Sequence, residues 1–129
     1  METKTRYAPL FALLSAALAA VLYGCAAAPH AGSGAVIEIA TFQLEPGVTE
    51  DEFRSVDRAV ELEHVARQPG FLARESAAGD DGRWLVIVHW RSVEDADASM
   101  ASFGSAPATA EFLARIQTDT MEMTRYRSK

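Results

Sequence analysis

Cysteine is almost missing from this sequence, and its scarcity limits the chemistry that the chain can perform. Cys25 is the single cysteine among 129 residues, which excludes both a disulfide framework and a thiolate metal cluster. The three histidines, His30, His64 and His89, are far apart and lack a carboxylate at a matched helical interval, so the spacing predicts no metal site. The sequence also has neither a glycine-rich phosphate loop nor a nucleophile elbow.

Positive charge is scarce as well. The chain carries 12 Lys and Arg against 18 Asp and Glu, a net charge of −6. The first 24 residues contribute a net +1 from Lys4, Arg6 and Glu2, so the remainder carries −7. Such an acidic domain lacks the positive surface that binds a phosphate backbone, and we expect no nucleic-acid partner.

Long apolar runs are limited to one, Leu10 to Gly24. Its 15 residues are fewer than the roughly 20 that a membrane-spanning helix needs. Because Lys4 and Arg6 precede this run, it is typical of a secretory signal peptide covering residues 1–24. The small, flexible segment 25–34 that follows, with His30 as a solvent-exposed residue, is interpreted as a tether to a single domain over residues 35–129.

The run ends in "LYGC", Leu22 to Cys25, which resembles the lipobox of bacterial lipoprotein precursors apart from the bulky Tyr23. The resemblance implies that Cys25 is lipidated and anchors the protein to a membrane. Ala26 is similar to the residue found in lipoproteins that are forwarded to the outer membrane. We therefore expect a bacterial envelope protein on the outer membrane, facing the periplasm. The alternative is an incidental cysteine beside an uncleaved anchor.

The rest of the chain predicts the element order β-α-β-β-α-β. Thr49 and Glu52 form a capping box signal that opens a helix. We expect strands at 35–44, 71–78, 83–90 and Thr120–Arg127, a helix from Glu50 to Arg67, a hairpin connection at Gly79–Gly82, and a second helical segment that starts after Ser92, is interrupted at Gly104 and is renewed at Pro107. This order predicts an α+β, ferredoxin-like fold in which two helices cover one face of a four-stranded antiparallel sheet.

The third predicted strand, "RWLVIVHW", is apolar on both faces. Trp84 and Trp90 point to one side, whereas Leu85, Ile87 and His89 point to the other. The helices can cover only one of these faces, and an apolar patch left open marks an interface. We therefore expect a homodimer that joins the two uncovered sheets. If Trp90 faces the helices, His89 faces the partner.

Four segments together resemble the antibiotic biosynthesis monooxygenase-like proteins: "IATFQLEPGVTEDEF", "EHVARQPGFLARES", "WLVIVHWRSVEDADA" and "MEMTRYR". The resemblance covers Val36 to Arg127 and implies a dimeric α+β barrel. This superfamily contains oxygenases, isomerases, decarboxylases and haem-handling proteins, so the fold implied is more specific than the activity.

Well-understood oxygenases of this group use an Asn on the first strand and a Trp and a His on the second helical segment. This chain contains no asparagine, and the three positions fall near Ala40, Ser99 and Thr109. The resemblance therefore does not extend to haem degradation or to that quinone chemistry, and we expect no resident cofactor.

His64 is the candidate catalytic residue. Phe53, Val60 and His64 share one face of the predicted helix, and with Trp90 they form the predicted pocket. A neutral His64 there is suited to act as a general base; alternatively it is a core residue bonded to a backbone carbonyl or to Glu61 or Arg67.

Trp84 and Trp90 are suited to stack on a flat aromatic ligand, or else they belong to the core. Charged residues on the predicted strands are expected to form cross-strand pairs at the edges or to line the barrel mouth; they are Glu38, Arg74, Glu75, Glu122 and Arg125.

Two functions remain open from the sequence. The first is a lipid-anchored envelope protein whose monooxygenase-like domain binds a small hydrophobic molecule and acts as a cofactor-independent oxygenase. The second is a non-catalytic ligand-binding or structural dimer that keeps the fold without the chemistry.

Overall fold

A four-stranded antiparallel sheet forms the centre of the fold. The computed structural model describes residues 34–129, so the predicted signal peptide, Cys25 and His30 lie outside the described part of the chain. The strands are β1 (Val36–Leu44), β2 (Phe71–Ala78), β3 (Arg83–Trp90) and β4 (Ile116–Arg127), and the helices are α1 (Glu50–Glu63), α2 (Val93–Phe103) and α3 (Pro107–Leu113). The sheet order is β2-β3-β1-β4 with every pair antiparallel, which confirms the predicted ferredoxin-like arrangement.

The start of α1 follows the sequence signal, but its end does not. The Thr49 hydroxyl accepts a hydrogen bond from the Glu52 N–H at 3.3 Å, and the Thr49 N–H donates to the Glu52 carboxylate at 2.9 Å. The helix ends at Glu63 and not at the predicted Arg67; a 3₁₀ turn spans Val65–Arg67. Pro69 disfavours helical backbone in the residue before it, and Gln68 is extended accordingly.

The second helical segment is two helices where the sequence predicted one interrupted helix. The Ser92 side chain caps α2 by accepting from the Asp95 N–H at 3.1 Å. After the break around Gly104, Pro107 occupies the first turn of α3, where its missing N–H costs nothing. The Thr109 hydroxyl lies within hydrogen-bond distance of the carbonyls of Phe103 and Ala106. Both carbonyls also accept from backbone N–H groups, so the hydroxyl adds a side-chain contact at the break.

The last strand begins at Ile116, earlier than the predicted Thr120. Its start was hidden because the strand is irregular there: Thr41 pairs with Glu122, whereas Gln43 pairs with Gln117. The Thr120 hydroxyl accepts from the Gln43 N–H at 2.9 Å and thus replaces a backbone partner at the bulge. A polar run of sequence therefore belongs to a strand without showing strict alternation.

Residues of the sheet alternate between two different environments. Trp84, Val86, Val88 and Trp90 of β3 are buried beneath the helices, together with Val36, Phe42 and Leu44 of β1. The opposite side is here called the uncovered face; its centre is formed by Ile37, Ile39, Leu85, Ile87 and His89, all partly exposed. Trp90 therefore faces the helices and His89 does not.

Aromatic rings make up much of the core under the helices. Phe53 of α1 lies edge-on to Trp84, with 5.0 Å between ring centroids, and 5.1 Å from Phe112 of α3. Phe42 contacts both phenylalanines. Such pairs contribute roughly 0.5–1.5 kcal/mol beyond the burial of their area, so they fix α1 and α3 against the sheet. None of the helices in residues 34–129 combines the length and apolar character needed to cross a membrane.

Candidate functional site

A cavity of about 180 Å³ lies between the sheet and the helices. Most of its wall is apolar, and three of the lining residues are polar or charged: Glu38, Arg74 and Ser99. The apolar lining residues are Ala40, Phe42, Val60, Val65, Val86, Val88, Trp90, Met100, Phe103, Phe112, Leu113, Met121 and Met123. A concave, largely apolar space with a few polar groups is typical of a small-molecule site.

The cavity reaches the surface beside two methionines. Met100 on α2 and Met123 on β4 both line the cavity, and each is 41 % exposed. These two side chains therefore form a rim between α2 and the edge strand β4. Methionine is unbranched and adapts its shape to a neighbour, so this rim can adjust to a passing molecule.

Glu38 contributes the one carboxylate among the lining residues, and it is held in an ion pair. The Arg125 Nε donates to Glu38 Oε2 at 2.6 Å across the β1–β4 pair, a cross-strand pair of the kind expected from the sequence. Arg125 also bonds to Asp97 of α2. The hydrogen bond to Asp97, followed by the one to Glu38, raises the pKa of Arg125 above its ordinary value.

Arg74 brings a second buried charge to the cavity wall. Its Nη1 donates to Asp57 Oδ2 at 3.0 Å, its Nη2 bonds to Asp57 Oδ1, and the Ser76 hydroxyl donates to Asp57 at 2.7 Å. The Arg74 and Asp57 side chains are 3 % and 4 % exposed. The Arg74 Nε is buried without a hydrogen-bond partner among the described residues.

Asp57 and Arg74 were not predicted from the sequence to belong to the site. Asp57 was not singled out, and Arg74 was assigned to an edge or a barrel mouth. The signal was present, because Asp57 lies four residues after Phe53 and three before Val60, on the apolar stripe of α1. A carboxylate on a buried stripe requires a buried partner, and Arg74 on β2 supplies it.

Of the four predicted pocket residues, the structure places Val60 and Trp90 in the cavity wall. The other two, Phe53 and His64, are not lining residues of the cavity, so the predicted pocket is corrected at these positions. Phe53 is fully buried behind the wall, where Trp84 and Phe112 surround it. Trp84 likewise belongs to the core and carries Arg54 over its ring at 5.6 Å. Phe53 points from α1 toward the sheet and Trp84 points from β3 toward the helices, and neighbouring rings fill the space around them.

His64, the predicted base, is buried but does not line the cavity. Because α1 ends before it, its backbone is not helical (φ −128°, ψ −69°), and the spacing from Val60 no longer predicts its direction. The ring packs edge-on against Phe103 at 5.6 Å, and Phe103 lines the cavity in its place. Its Nδ1 lies 3.4 Å from the Gln68 side-chain amide.

Ala40, Ser99 and Thr109 are the residues that the resemblance set near the expected Asn, Trp and His positions. Ala40 and Ser99 lie in the cavity wall, whereas Thr109 is fully buried and bonds to backbone carbonyls at the break before α3. The cavity thus occupies the expected place without that set of side chains. Within residues 34–129, no three His, Cys, Asp or Glu side chains are grouped so as to hold a metal ion.

His89 lies on the uncovered face, away from the cavity. Its Nε2 is 4.0 Å from the carboxylate of Glu75 on the neighbouring strand. Because both side chains are partly exposed, the pair is a surface contact that contributes little to stability. The two histidines of the domain are therefore separated by the sheet and cannot act together.

Residues 35–118 match the family model described as antibiotic biosynthesis monooxygenase. No curated protein shows significant similarity to the sequence. Among solved structures, the chain is similar to SnoaB, a cofactor-independent oxygenase from Streptomyces nogalater, with 21 % identity, a TM-score of 0.62, and 75 % of this chain and 95 % of that chain covered.

Two further solved structures are similar. A candidate antibiotic biosynthesis monooxygenase from Caulobacter crescentus has 17 % identity and a TM-score of 0.61, with 75 % of this chain and 92 % of that chain covered. A second candidate of the same description, from Chloroflexus aurantiacus, has 19 % identity and a TM-score of 0.54, with coverage of 74 % and 94 %. At these identities the likeness establishes the fold.

Proposed function

Because this chain belongs to the antibiotic biosynthesis monooxygenase family, we propose that it binds a small, largely apolar organic molecule in the cavity between sheet and helices. The observation that carries the proposal is the cavity itself, with its apolar wall and its opening beside Met100 and Met123. An apolar cavity of about 150 Å³ is sufficient for benzene. The 180 Å³ found here therefore suits a molecule of one small ring with a short substituent.

Mass spectrometry under native conditions tests this proposal on the full chain purified from its own host. We expect the protein to carry a small organic molecule. Ala40→Leu fills part of the cavity and should remove that mass, whereas Ala110→Leu, on an exposed position of α3, should retain it. Wild-type protein that carries no molecule, and that takes up none from its host's lipid-free extract, would contradict the proposal.

Cofactor-independent oxygenation is the second candidate. The family and the oxygenase activity named for SnoaB support it, but any acid–base step requires a proton acceptor at the cavity wall. His64 is not at the wall, and the carboxylate there, Glu38, is paired with Arg125. Binding without chemistry is therefore the function that the geometry favours.

Returning the recovered ligand to the ligand-free protein in the presence of dioxygen separates these two candidates. Oxygen uptake with a matching gain of mass in the ligand indicates an oxygenase; Glu38→Gln should then abolish uptake and leave binding intact. An unchanged ligand indicates a binding protein. The Arg125→Lys variant, which keeps a positive charge beside Glu38, is the matched control.

A homodimer joined through the uncovered face belongs to the same proposal. Ile37, Ile39, Leu85 and Ile87 present a continuous apolar surface that no helix of residues 34–129 covers. Burying it against a second copy removes apolar area from water at roughly 25 cal/mol per Å². Analytical ultracentrifugation of the full chain in mild detergent should report twice the protomer mass, and a single protomer at micromolar concentration would contradict the dimer.

We further propose that Cys25 is the lipidated residue and that the domain stands at the outer membrane, facing the periplasm, as expected from the "LYGC" segment. Fractionation of the native host tests this. The wild type should be found with the outer membrane, and Cys25→Ser should be released into the soluble fraction or keep its signal peptide. Recovery of both proteins in the soluble fraction would contradict lipidation.

A further inference from the structure

Arg74 combines three features, and it is the one charged residue of the cavity wall that does so. It lies in the cavity wall, its side chain is only 3 % exposed, and its Nε–H has no partner among the described residues. Buried N–H groups nearly always have a partner. A charged donor that lacks one, at the wall of a cavity, indicates where an acceptor atom of a bound molecule belongs.

The way in which Asp57 holds Arg74 leaves that donor available. A guanidinium group is planar and carries five N–H donors in a fixed arrangement. Asp57 accepts from both terminal nitrogens, Nη1 and Nη2, and therefore occupies the end of the group. The side of the group that carries Nε is left for another acceptor.

The rest of the cavity wall does not supply that acceptor. Glu38 is paired with Arg125 at 2.6 Å, and the Trp90 indole N–H is a second buried donor without a partner. The cavity wall thus carries two buried donors, the Arg74 Nε–H and the Trp90 indole N–H, that have no partner among the described residues. A complementary ligand presents an oxygen that accepts.

The charges around Arg74 decide whether that oxygen is neutral or anionic. Asp57 already balances Arg74, and a second carboxylate, Glu61, lies 3.8 Å from Nη1. An anionic ligand would bring a third carboxylate to this cluster without a free cation to balance it. Burial of an unbalanced charge costs several kcal/mol, so a neutral acceptor is favoured.

We propose that Arg74 is a specificity-determining residue whose Nε–H binds a neutral acceptor oxygen, such as a ketone carbonyl, on an otherwise apolar ligand. The inference rests on the proposed function, since it requires that the cavity bind a small organic molecule. Asp57 is the positioning residue, because it orients the guanidinium without reaching the ligand.

Two probes of nearly equal shape test the inference on the full chain. Acetophenone carries a carbonyl where ethylbenzene carries a methylene group. Arg74→Lys keeps a positive charge beside Asp57 but removes the guanidinium Nε–H that is proposed to donate to the ligand. We expect the dissociation constant of acetophenone to rise about tenfold, as for loss of one bond to a charged donor, and that of ethylbenzene to change less than about twofold.

Two further variants keep the test decisive. Arg74→Met with Asp57→Leu removes both charges together, so that no buried charge is left unpaired, and should also weaken acetophenone alone. Arg91→Lys, at an exposed arginine outside the cavity, is the matched control and should alter neither probe. Thermal melting and near-ultraviolet circular dichroism verify that each variant is folded.

The outcomes separate this inference from the proposed function. If both folded Arg74 variants bind the two probes with equally reduced affinity, or with unchanged affinity, the proposed role of Arg74 is overturned. Benzoate binding to the wild type at least as tightly as acetophenone overturns the preference for a neutral oxygen. Both of these results leave a ligand-binding cavity in place. Failure of the wild type to bind either uncharged probe removes the proposed function, and the inference with it.

Discussion

The two faces of β3 both carry large apolar side chains and have opposite fates in the fold. On β3, Trp84, Val86 and Val88 are buried by helices of the same chain, whereas their neighbours Leu85 and Ile87 remain partly exposed. The covered face contains both the core and the cavity. Apolar character alone therefore does not distinguish a surface that packs within the chain from one that the helices leave open.

Trp84→Ala should break the covered face most severely. The side chain is fully buried and contacts Phe53 at 5.0 Å, so its truncation should lower the free energy of unfolding by about 4 kcal/mol. Leu85→Ala, its neighbour on the uncovered face, should cost less than half as much. Urea denaturation of both variants at one protein concentration provides the measurement, and equal losses would contradict the distinction between the faces.

Asp57→Ala should have the next largest effect on stability, because the ion pair between Asp57 and Arg74 joins α1 to β2 on the covered face. Removing the carboxylate leaves Arg74 buried without its partner, which should lower the free energy of unfolding by about 3 kcal/mol. The matched control is Asp97→Ala, which breaks an exposed ion pair to Arg125 and should cost less than about 1 kcal/mol. Urea denaturation again measures both, and similar losses would show that burial does not set the strength of these pairs.

Ile87→Glu tests the role of the uncovered face. A carboxylate at the centre of the uncovered face should split the proposed dimer and leave the far-ultraviolet circular dichroism of the protomer unchanged. Leu62→Glu, at an exposed position of α1, is the control and should remain dimeric. The measurement is sedimentation velocity; a dimeric Ile87→Glu protein would place the interface elsewhere.

The smallest effect is expected from the cap that starts α1. The hydrogen bond from the Thr49 backbone N–H, followed by that from its side chain, lowers the pKa of Glu52 below its ordinary value. The stabilisation is therefore present above the ordinary pKa and is lost as the pH falls through the lowered one. The melting temperature of Glu52→Gln should lie below that of the wild type at neutral pH, and the gap should close in acid. A gap that widens in acid would contradict the sign of this shift.

Local signals predicted the architecture correctly because each depends on residues close together in the chain. The cap at Thr49, the cap at Ser92 and the alternation along β3 all have this character. The end of α1 and the start of β4 were placed wrongly, because the backbone leaves helical geometry at His64 and a bulge interrupts the β1–β4 pairing near Thr120; neither feature is visible in the hydrophobic pattern.

The site was less predictable because it depends on contacts between distant residues. Periodicity could place Val60 on the apolar stripe of α1 and Trp90 on one face of β3, but the direction of His64 depends on where α1 ends. The buried pair of Asp57 and Arg74 joins two elements, and the sequence showed only an acidic residue on an apolar stripe. A carboxylate in that position was the one available signal, and it indicates a partner without identifying it.

The position of the first strand at the centre of the sheet has a consequence for the order in which the domain is assembled. β1 pairs on one side with β4, and Glu38 meets an arginine 87 residues later in the chain. Contacts of such long range slow folding, since a large loop must close before they form. During synthesis, one edge of β1 must wait for β4, and the cavity lacks the wall that carries Met121 and Met123 until that strand is in place.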